Sequence, residues 1–398
     1  MERRGVLKGW TVTLIQASFL LTILGTFMTR SGVFNSVHSF TQSAIGPTIL
    51  AFLAAILIFS IALLAIRIDS LEAEGKIDSA ASKEGAFLFN NLIFVLLTFT
   101  VLIGTVFPLV VEAVKGKQMS VGRPYFDAMV VPAGTALLFL LGVGPALPWG
   151  RASRQQLLKA LLPPIITGAI LAAIGAAVHV TNAWTLATLF VGGYAAHVTL
   201  AQMWQPLVQR LRRGDSFGNA LVNGQLRRGR RRFGSYIVHA GAVIVLISIA
   251  VSSTMRTSHE VKLTKGQSTT LGAYTLTYVG SEVRQEPNRE ATIARFNVTK
   301  NGKALTTLDP RMNQYPAMRE PIGTPAVYST IKGDLYVSIM NLDGNTAGIL
   351  VLWMPMVGWI WFAVIMMGIG GLVALIPSRT AVVVEAKDSV TATAPALS

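Results

Sequence analysis

The chain has 398 residues, of which 13% are charged and 52% hydrophobic, and its formal net charge is +15. Soluble domains average about 25% charged residues, so this composition excludes a disordered chain and a soluble basic nucleic-acid-binding protein, and it predicts a polytopic membrane protein. The sequence contains no cysteine, which excludes a disulfide framework, a zinc–thiolate site, an iron–sulfur cluster and a thiol nucleophile within the chain.

Eight stretches are apolar enough and, at roughly 20 residues, long enough to cross a bilayer. They cover residues 10–29, 45–66, 85–111, 128–147, 161–178, 184–204, 234–253 and 347–376. Nineteen basic residues fall in short segments on one side of the predicted membrane and four on the other. Because lysine and arginine favour the cytoplasmic side, we predict that both termini are cytoplasmic. Residues 1–253 then hold seven transmembrane helices, 347–376 the eighth, and 377–398 a disordered tail.

The loop of residues 30–44 follows the first predicted span on the outer side and carries His38. Its apolar residues recur at helical spacing, which predicts an amphipathic helix lying on the membrane surface; they are Val33, Phe34, Val37 and Phe40. A histidine at this level is either a polar headgroup contact or a metal ligand.

Five arginines lie between residues 227 and 232, directly before the seventh predicted span. Such a run could bind a nucleic-acid backbone. Its position beside a span instead favours a topology anchor that meets anionic lipid on the cytoplasmic side. We therefore predict no nucleic-acid partner.

Residues 254–346 change from continuous apolar runs to alternating apolar and polar residues, which is typical of β-strands. Asn301-Gly302 and Gly333-Asp334 each separate two such stretches and predict hairpin turns. Five or six short strands in this segment predict a small all-β barrel or sandwich. The predicted topology puts this domain on the side opposite the cytoplasm, between the last two spans.

The histidines are the remaining candidates for chemistry: His38, His179, His197, His239 and His259. His239 lies inside the seventh span, where a neutral imidazole can ligate a metal or bond to a neighbouring helix. Gly241 would let a flat group or a helix approach closely. His197 lies on roughly the same face of its helix as Gly193. Like His179 and His259, it is better explained as an interfacial or core polar residue. The glycine-rich segment 368–371 lies in a span and predicts helix packing. No acid–base catalytic residue is identified.

Several motifs resemble those of the CcmF family, the integral-membrane cytochrome c heme lyases. The resemblance is carried by Arg30-Ser31-Gly32-Val33 and Ser36-Val37-His38-Ser39-Phe40, by Pro124-Tyr125-Phe126, by the arginine-rich loop before His239-Ala240-Gly241, and by Asp334-Leu335-Tyr336. It covers almost the whole chain.

The resemblance implies that the chain acts in cytochrome c maturation. Members of this family take heme from the chaperone CcmE and promote its thioether attachment to the Cys-x-x-Cys-His segment of apocytochrome c, with help from CcmH. They hold one heme between two outer histidines and a permanent heme b between two membrane histidines. By resemblance, His38 is the second outer ligand and His239 the second membrane ligand, and the protein lies in the bacterial inner membrane.

The family's tryptophan-rich signature and its first outer and first membrane histidines have no match in this sequence. In the family they precede the loop with which this chain starts. The expectation is therefore the C-terminal part of a lyase, either one half of a split protein or a truncated frame, which needs the missing N-terminal half to complete each heme site.

Three alternatives remain open on the sequence. The first is a related lyase of the NrfE type, which serves a variant heme-binding motif. The second is a membrane transport or channel subunit, for which polar residues or broken helices would converge at mid-membrane. The third is an assembly scaffold without heme.

Overall fold

A computed structural model describes residues 8–31, 45–71, 79–117, 119–147, 153–316 and 321–376. Its long helices are α1 Lys8–Arg30, α2 Gly46–Ile66, α3 Lys83–Lys115, α4 Arg123–Ala146, α5 Arg154–Ala177 and α6 Ala183–Arg212. A single turn, α7 Phe217–Asn219, leads into a π-helix over Ala220–Arg228, and α8 Arg230–Thr254 and α9 Val357–Leu375 follow. Residues 32–44 of the predicted surface helix, with His38, and the tail of residues 377–398 lie outside the described residues.

Seven helices of the described part are long and apolar enough to cross a membrane, namely α1 to α5, α8 and α9. The predicted polytopic membrane architecture is therefore confirmed. The predicted sixth span coincides with α6, which is long enough but is not among these seven helices. It also buries more residues than any other helix of the described part, including Thr185, Thr188 and Thr199. A helix covered by protein does not need the hydropathy of a lipid-facing one.

Two compact units divide the chain, with residues 1–130 and 148–152 in the first and residues 131–147 and 153–398 in the second. In the first unit, α1 contacts α2, and the Tyr125 hydroxyl donates to the Thr100 carbonyl oxygen over 3.0 Å. In the second unit, α6 lies against α5 and α8, and α8 lies against α9. Leu138, Ala195 and Val243 form a buried apolar contact between α4, α6 and α8.

The segment between α8 and α9 is a β-sandwich. Its ten described strands are β1 Thr257–Thr264, β2 Ser268–Leu271, β3 Tyr274–Glu286, β4 Arg289–Lys300, β5 Lys303–Leu308, β6 Arg311–Gln314, β7 Ile322–Thr324, β8 Ala326–Thr330, β9 Gly333–Asp343 and β10 Thr346–Pro355. One antiparallel sheet has the order β1-β10-β9-β8. The other has the order β2-β3-β4-β6-β7, with β5 also paired to β4.

The sandwich core follows from the alternation in the strands, because successive side chains point to opposite faces of a sheet. Leu276, Tyr278, Phe296 and Val298 from one sheet are buried together with a second group from the other sheet, Leu335, Val337, Ile349 and Val351. The rings of Tyr278 and Phe296 stack with their centroids 5.2 Å apart. The core explains why this segment folds as a sandwich, one of the two predicted architectures.

Two predicted boundaries in this region are wrong. Residues 347–355, assigned to the last span, form most of β10, and the helix begins only at Val357. A fully buried strand and a membrane helix are both continuous apolar runs, so hydropathy cannot separate them when one follows the other. The second predicted hairpin also shifts: its turn is Ile331-Lys332, and Gly333 and Asp334 already pair in β9. The Asn301-Gly302 turn is confirmed, with both residues at positive φ.

Candidate functional site

His239 lies on the face of α8 that meets α6. Residues three or four apart share a face of an α-helix, and Val243, one turn after His239, is buried against α6. One turn before it, the ring of Tyr236 stands edge-on to the imidazole with centroids 6.0 Å apart. The Nδ1 atom of His239 is buried and has no hydrogen-bond partner in the described part of the chain. A buried polar atom left unpaired costs about 1–3 kcal/mol, so this ring can accept a ligand at a gain in free energy.

Gly241 lies on the opposite side of α8 and serves a different contact. A Cβ atom there would lie 2.4 Å from Cγ of Met367 and 2.9 Å from the carbonyl oxygen of Ala363, both in α9. Two residues correspond to about 200° of rotation around a helix, so the glycine does not open the face that carries His239. The close approach predicted from Gly241 is therefore that of a neighbouring helix.

A polar cluster of α6 and α8 lies one to two turns before His239. The Oε1 atom of Gln202 accepts hydrogen bonds from Arg232 Nη2 over 2.9 Å and from the Tyr236 hydroxyl over 3.5 Å. The Arg232 guanidinium also lies 5.7 Å from the centroid of the Tyr236 ring. These contacts restrain the side chain of Tyr236, which lies beside His239.

Sequence reasoning missed this cluster, although part of the signal was present. Arg232, Tyr236 and His239 follow the helical spacing of one face. Gln202 on α6 could not be assigned to them, since its partner depends on how two helices pack.

His197 contacts α5 and does not point to the face of α6 that meets His239. Its Nδ1 atom is 2.8 Å from the Thr167 hydroxyl, and the predicted companion Gly193 approaches the Thr167 carbonyl on the same side. His197 borders a cavity of about 220 Å³ whose other polar lining residues are Lys159, Gln202 and Gln205. These contacts agree with the interpretation of His197 as a hydrogen-bonded core residue.

The other described histidines lie elsewhere. His179 is exposed at the end of α5 in a left-handed conformation with φ of 65°. His259 is exposed on β1, with Nδ1 3.5 Å from the Thr269 hydroxyl. His38 is outside the described residues. Across the part of the chain that the structure covers, no three His, Cys, Asp or Glu side chains come together as a metal site. Among the described histidines, His239 is the one with a buried ring nitrogen that has no hydrogen-bond partner.

Only some of the glycines in the last span lie at the contact between α8 and α9. A Cβ on Gly370 would lie 2.8 Å from the Gly234 carbonyl oxygen, whereas a Cβ on Gly368 or Gly371 would meet no described atom within 4 Å. The packing role predicted for this glycine-rich segment is confirmed for Gly370.

We expect Gln202→Leu to lower the free energy of unfolding by about 1 kcal/mol, because it removes a hydrogen bond to a charged group at a partly exposed position. In detergent, the thermal unfolding midpoint should fall by about 2 °C. Gln205→Leu alters the same cavity and should stay within about 0.5 kcal/mol of the parent chain. Equal midpoints for the two variants would show that the Arg232–Gln202–Tyr236 cluster does not stabilise the fold.

Comparison with known proteins gives a consistent family assignment. Residues 254–355 match the family model described as the CcmF C-terminal β-sandwich. The chain is 32% identical over 388 residues to the cytochrome c-type biogenesis protein CcmF of Pseudomonas aeruginosa, covering 97% of the chain and 58% of that protein. It is 27% identical over 387 residues to NrfE of Haemophilus influenzae, covering 95% of the chain and 58% of that relative.

A solved structure named cytochrome c heme lyase CcmF superimposes with a TM-score of 0.71 at 26% identity, over 94% of this chain and 56% of that one. The chain therefore spans somewhat more than half the length of these relatives. The similarity includes both the helices and the sandwich.

Proposed function

Because the chain belongs to the CcmF/NrfE family of cytochrome c-type biogenesis proteins, we propose that it forms the C-terminal part of a cytochrome c heme lyase. The observation that carries this proposal is His239, a histidine within a membrane helix whose buried ring nitrogen has no partner in the described residues. The solved structure with the same fold is named for heme lyase activity.

In this proposal His239 would be one of the residues that hold a membrane heme b. A heme held by imidazole ligands would supply an electron-transfer centre. Tyr236 fixes the orientation of the His239 ring, and Gln202 and Arg232 fix Tyr236. The second ligand and the tryptophan-rich segment would belong to the part of the relatives' length that this chain does not match.

At the outer heme site, His38 would be the second ligand. Heme arrives on holo-CcmE, and the thiols that react belong to apocytochrome c, which CcmH helps to present. The absence of cysteine from this chain prevents thiol exchange with the substrate. The β-sandwich and the loop between α3 and α4 are the surfaces that we propose for guiding the apocytochrome.

The charge distribution supports an orientation in the bacterial inner membrane with both termini in the cytoplasm. Eight arginines lie between residues 210 and 232, from the last turn of α6 to the first turn of α8. Such a cluster beside a span favours the cytoplasmic side, which places the sandwich at the other end of α8, in the periplasm.

The test is cytochrome c maturation in a bacterial strain that lacks its own lyase. The chain is expressed with a polypeptide that matches the remaining part of its relatives, and covalent heme on a Cys-x-x-Cys-His apocytochrome is measured by heme staining of a denaturing gel. We expect staining when both polypeptides are present. No staining in that strain, together with staining of an apocytochrome that carries a variant motif, would instead assign the NrfE-type activity.

A further inference from the structure

The turn between β8 and β9 is bound to the first turn of α9. The Trp359 indole Nε1 donates to the carbonyl oxygen of Ile331 over 3.0 Å, and the Met356 backbone N–H donates to the carbonyl oxygen of Lys332 over 3.2 Å. Thr330 closes the turn by donating its hydroxyl to the Gly333 carbonyl oxygen over 2.7 Å. The turn Ile331-Lys332 therefore lies at the same level along the helix axis as the start of α9.

The depth of α9 in the bilayer fixes the depth of this turn. The helix has 19 residues and no charged side chain, and at 1.5 Å per residue it is about 28 Å long. This length matches the hydrocarbon core of a bilayer, about 30 Å thick. Sliding the helix outward would expose apolar residues to water, so its first turn lies at the membrane interface, where tryptophan is enriched.

The side chains of the turn suit that interface. Ile331 is 79% exposed, although isoleucine is among the residues most often buried. The neighbouring Trp361 and Phe362 of α9 are also exposed and apolar. Lys332 is exposed beside Ile331, and a lysine at this depth can extend its ammonium group to lipid phosphates while its stem stays in apolar surroundings.

We propose that the turn Ile331-Lys332 is a second membrane contact of the β-sandwich, in which Ile331 inserts at the boundary of the acyl chains and Lys332 meets phospholipid headgroups. The sandwich is then held to the bilayer by its two flanking helices and also by this turn. The three attachments restrict its rotation about the membrane normal and set which of its faces an incoming protein can reach.

The chain contains no cysteine, so a single Ile331→Cys substitution gives one site for a nitroxide label in the full protein. After reconstitution into phosphatidylcholine–phosphatidylglycerol vesicles, the collision rates of the label with oxygen and with a water-soluble nickel chelate are measured. Val283→Cys on β3 is the matched control, because this aliphatic residue of the same sandwich is 62% exposed on a strand outside the β8–β9 hairpin. Lys332→Cys provides a second reading within the turn.

We expect the oxygen-to-nickel ratio at residue 331 to be at least about threefold larger than at residue 283, as for a residue several ångströms inside the interface. Both variants should keep the parent unfolding midpoint, since both replaced side chains are exposed. Equal ratios at the two sites would overturn the proposal. Shielding of residues 331 and 332 from both reagents would also overturn it, because that result assigns the turn to a protein partner.

Discussion

Replacement of His239 by alanine is expected to abolish the heme b spectrum of the assembled lyase while the protein still folds. Outer-shell substitutions at metal sites already cost about 10–100-fold in affinity, so loss of an axial ligand should lower heme occupancy at least tenfold. The measurement is the dithionite-reduced absorbance of the purified complex per mole of polypeptide. His239→Gly should recover part of the signal when imidazole is added, because the ligand then returns without its tether.

His197→Ala is the matched control for this substitution. His197 also lies in a long helix of the second unit, but its Nδ1 is 2.8 Å from the Thr167 hydroxyl. We expect its removal to cost stability and to leave heme occupancy unchanged. An unchanged spectrum in His239→Ala, or loss of the spectrum in His197→Ala alone, would show that the ligand has been assigned to the wrong histidine.

The second large effect is expected at the crossing of α8 and α9. A Cβ atom at Gly234 would lie 2.4 Å from the carbonyl oxygen of Gly370 and 2.7 Å from the backbone N of Ala374. Backbone atoms cannot rotate away as a side chain can. Gly234→Leu therefore has to separate the two helices, and the cost should reach or exceed the 1–3 kcal/mol that is usual for overpacking.

This cost is measured by thermal unfolding in detergent and by the protease resistance of the β-sandwich. The sandwich reports on the two helices because α8 leads directly into β1 and β10 leads directly into α9. Gly371→Leu adds the same side chain to α9 at a position where a Cβ meets nothing within 4 Å. It should leave the midpoint within about 0.5 kcal/mol of the parent. A Gly234→Leu variant as stable as Gly371→Leu would contradict the close crossing.

The long spans could be predicted because each needs about 20 apolar residues and little else. One exception was the region after Asn345, where the buried strand β10 runs into α9 with Met356 as the only residue between them. Two apolar segments with one residue between them read as a single long span. Their separation depends on the pairing of β10 with β9 and β1, which is a property of the fold.

The candidate site shows the same limit at the level of side chains. His239 could be selected because a histidine within an apolar helix is conspicuous in the sequence. The acceptor provided by Gln202 and the partner of His197 could not be found, because both depend on how two different helices pack against each other. The role of Gly241 could be assigned only once it was known which face of α8 meets which helix. Gly241 lies on the face toward α9, away from the face that carries His239.

We propose that this chain contributes one ligand, His239, to a heme b whose other ligand lies in the part of its relatives that the chain does not match. The most direct test is the reduced absorption spectrum of the chain purified alone and of the chain purified with a polypeptide that matches the rest of its relatives. We predict a bis-histidine heme b spectrum at high occupancy only from the pair, and at least tenfold less from the lone chain. A full bis-histidine spectrum from the lone chain, or none from the pair, would contradict the claim.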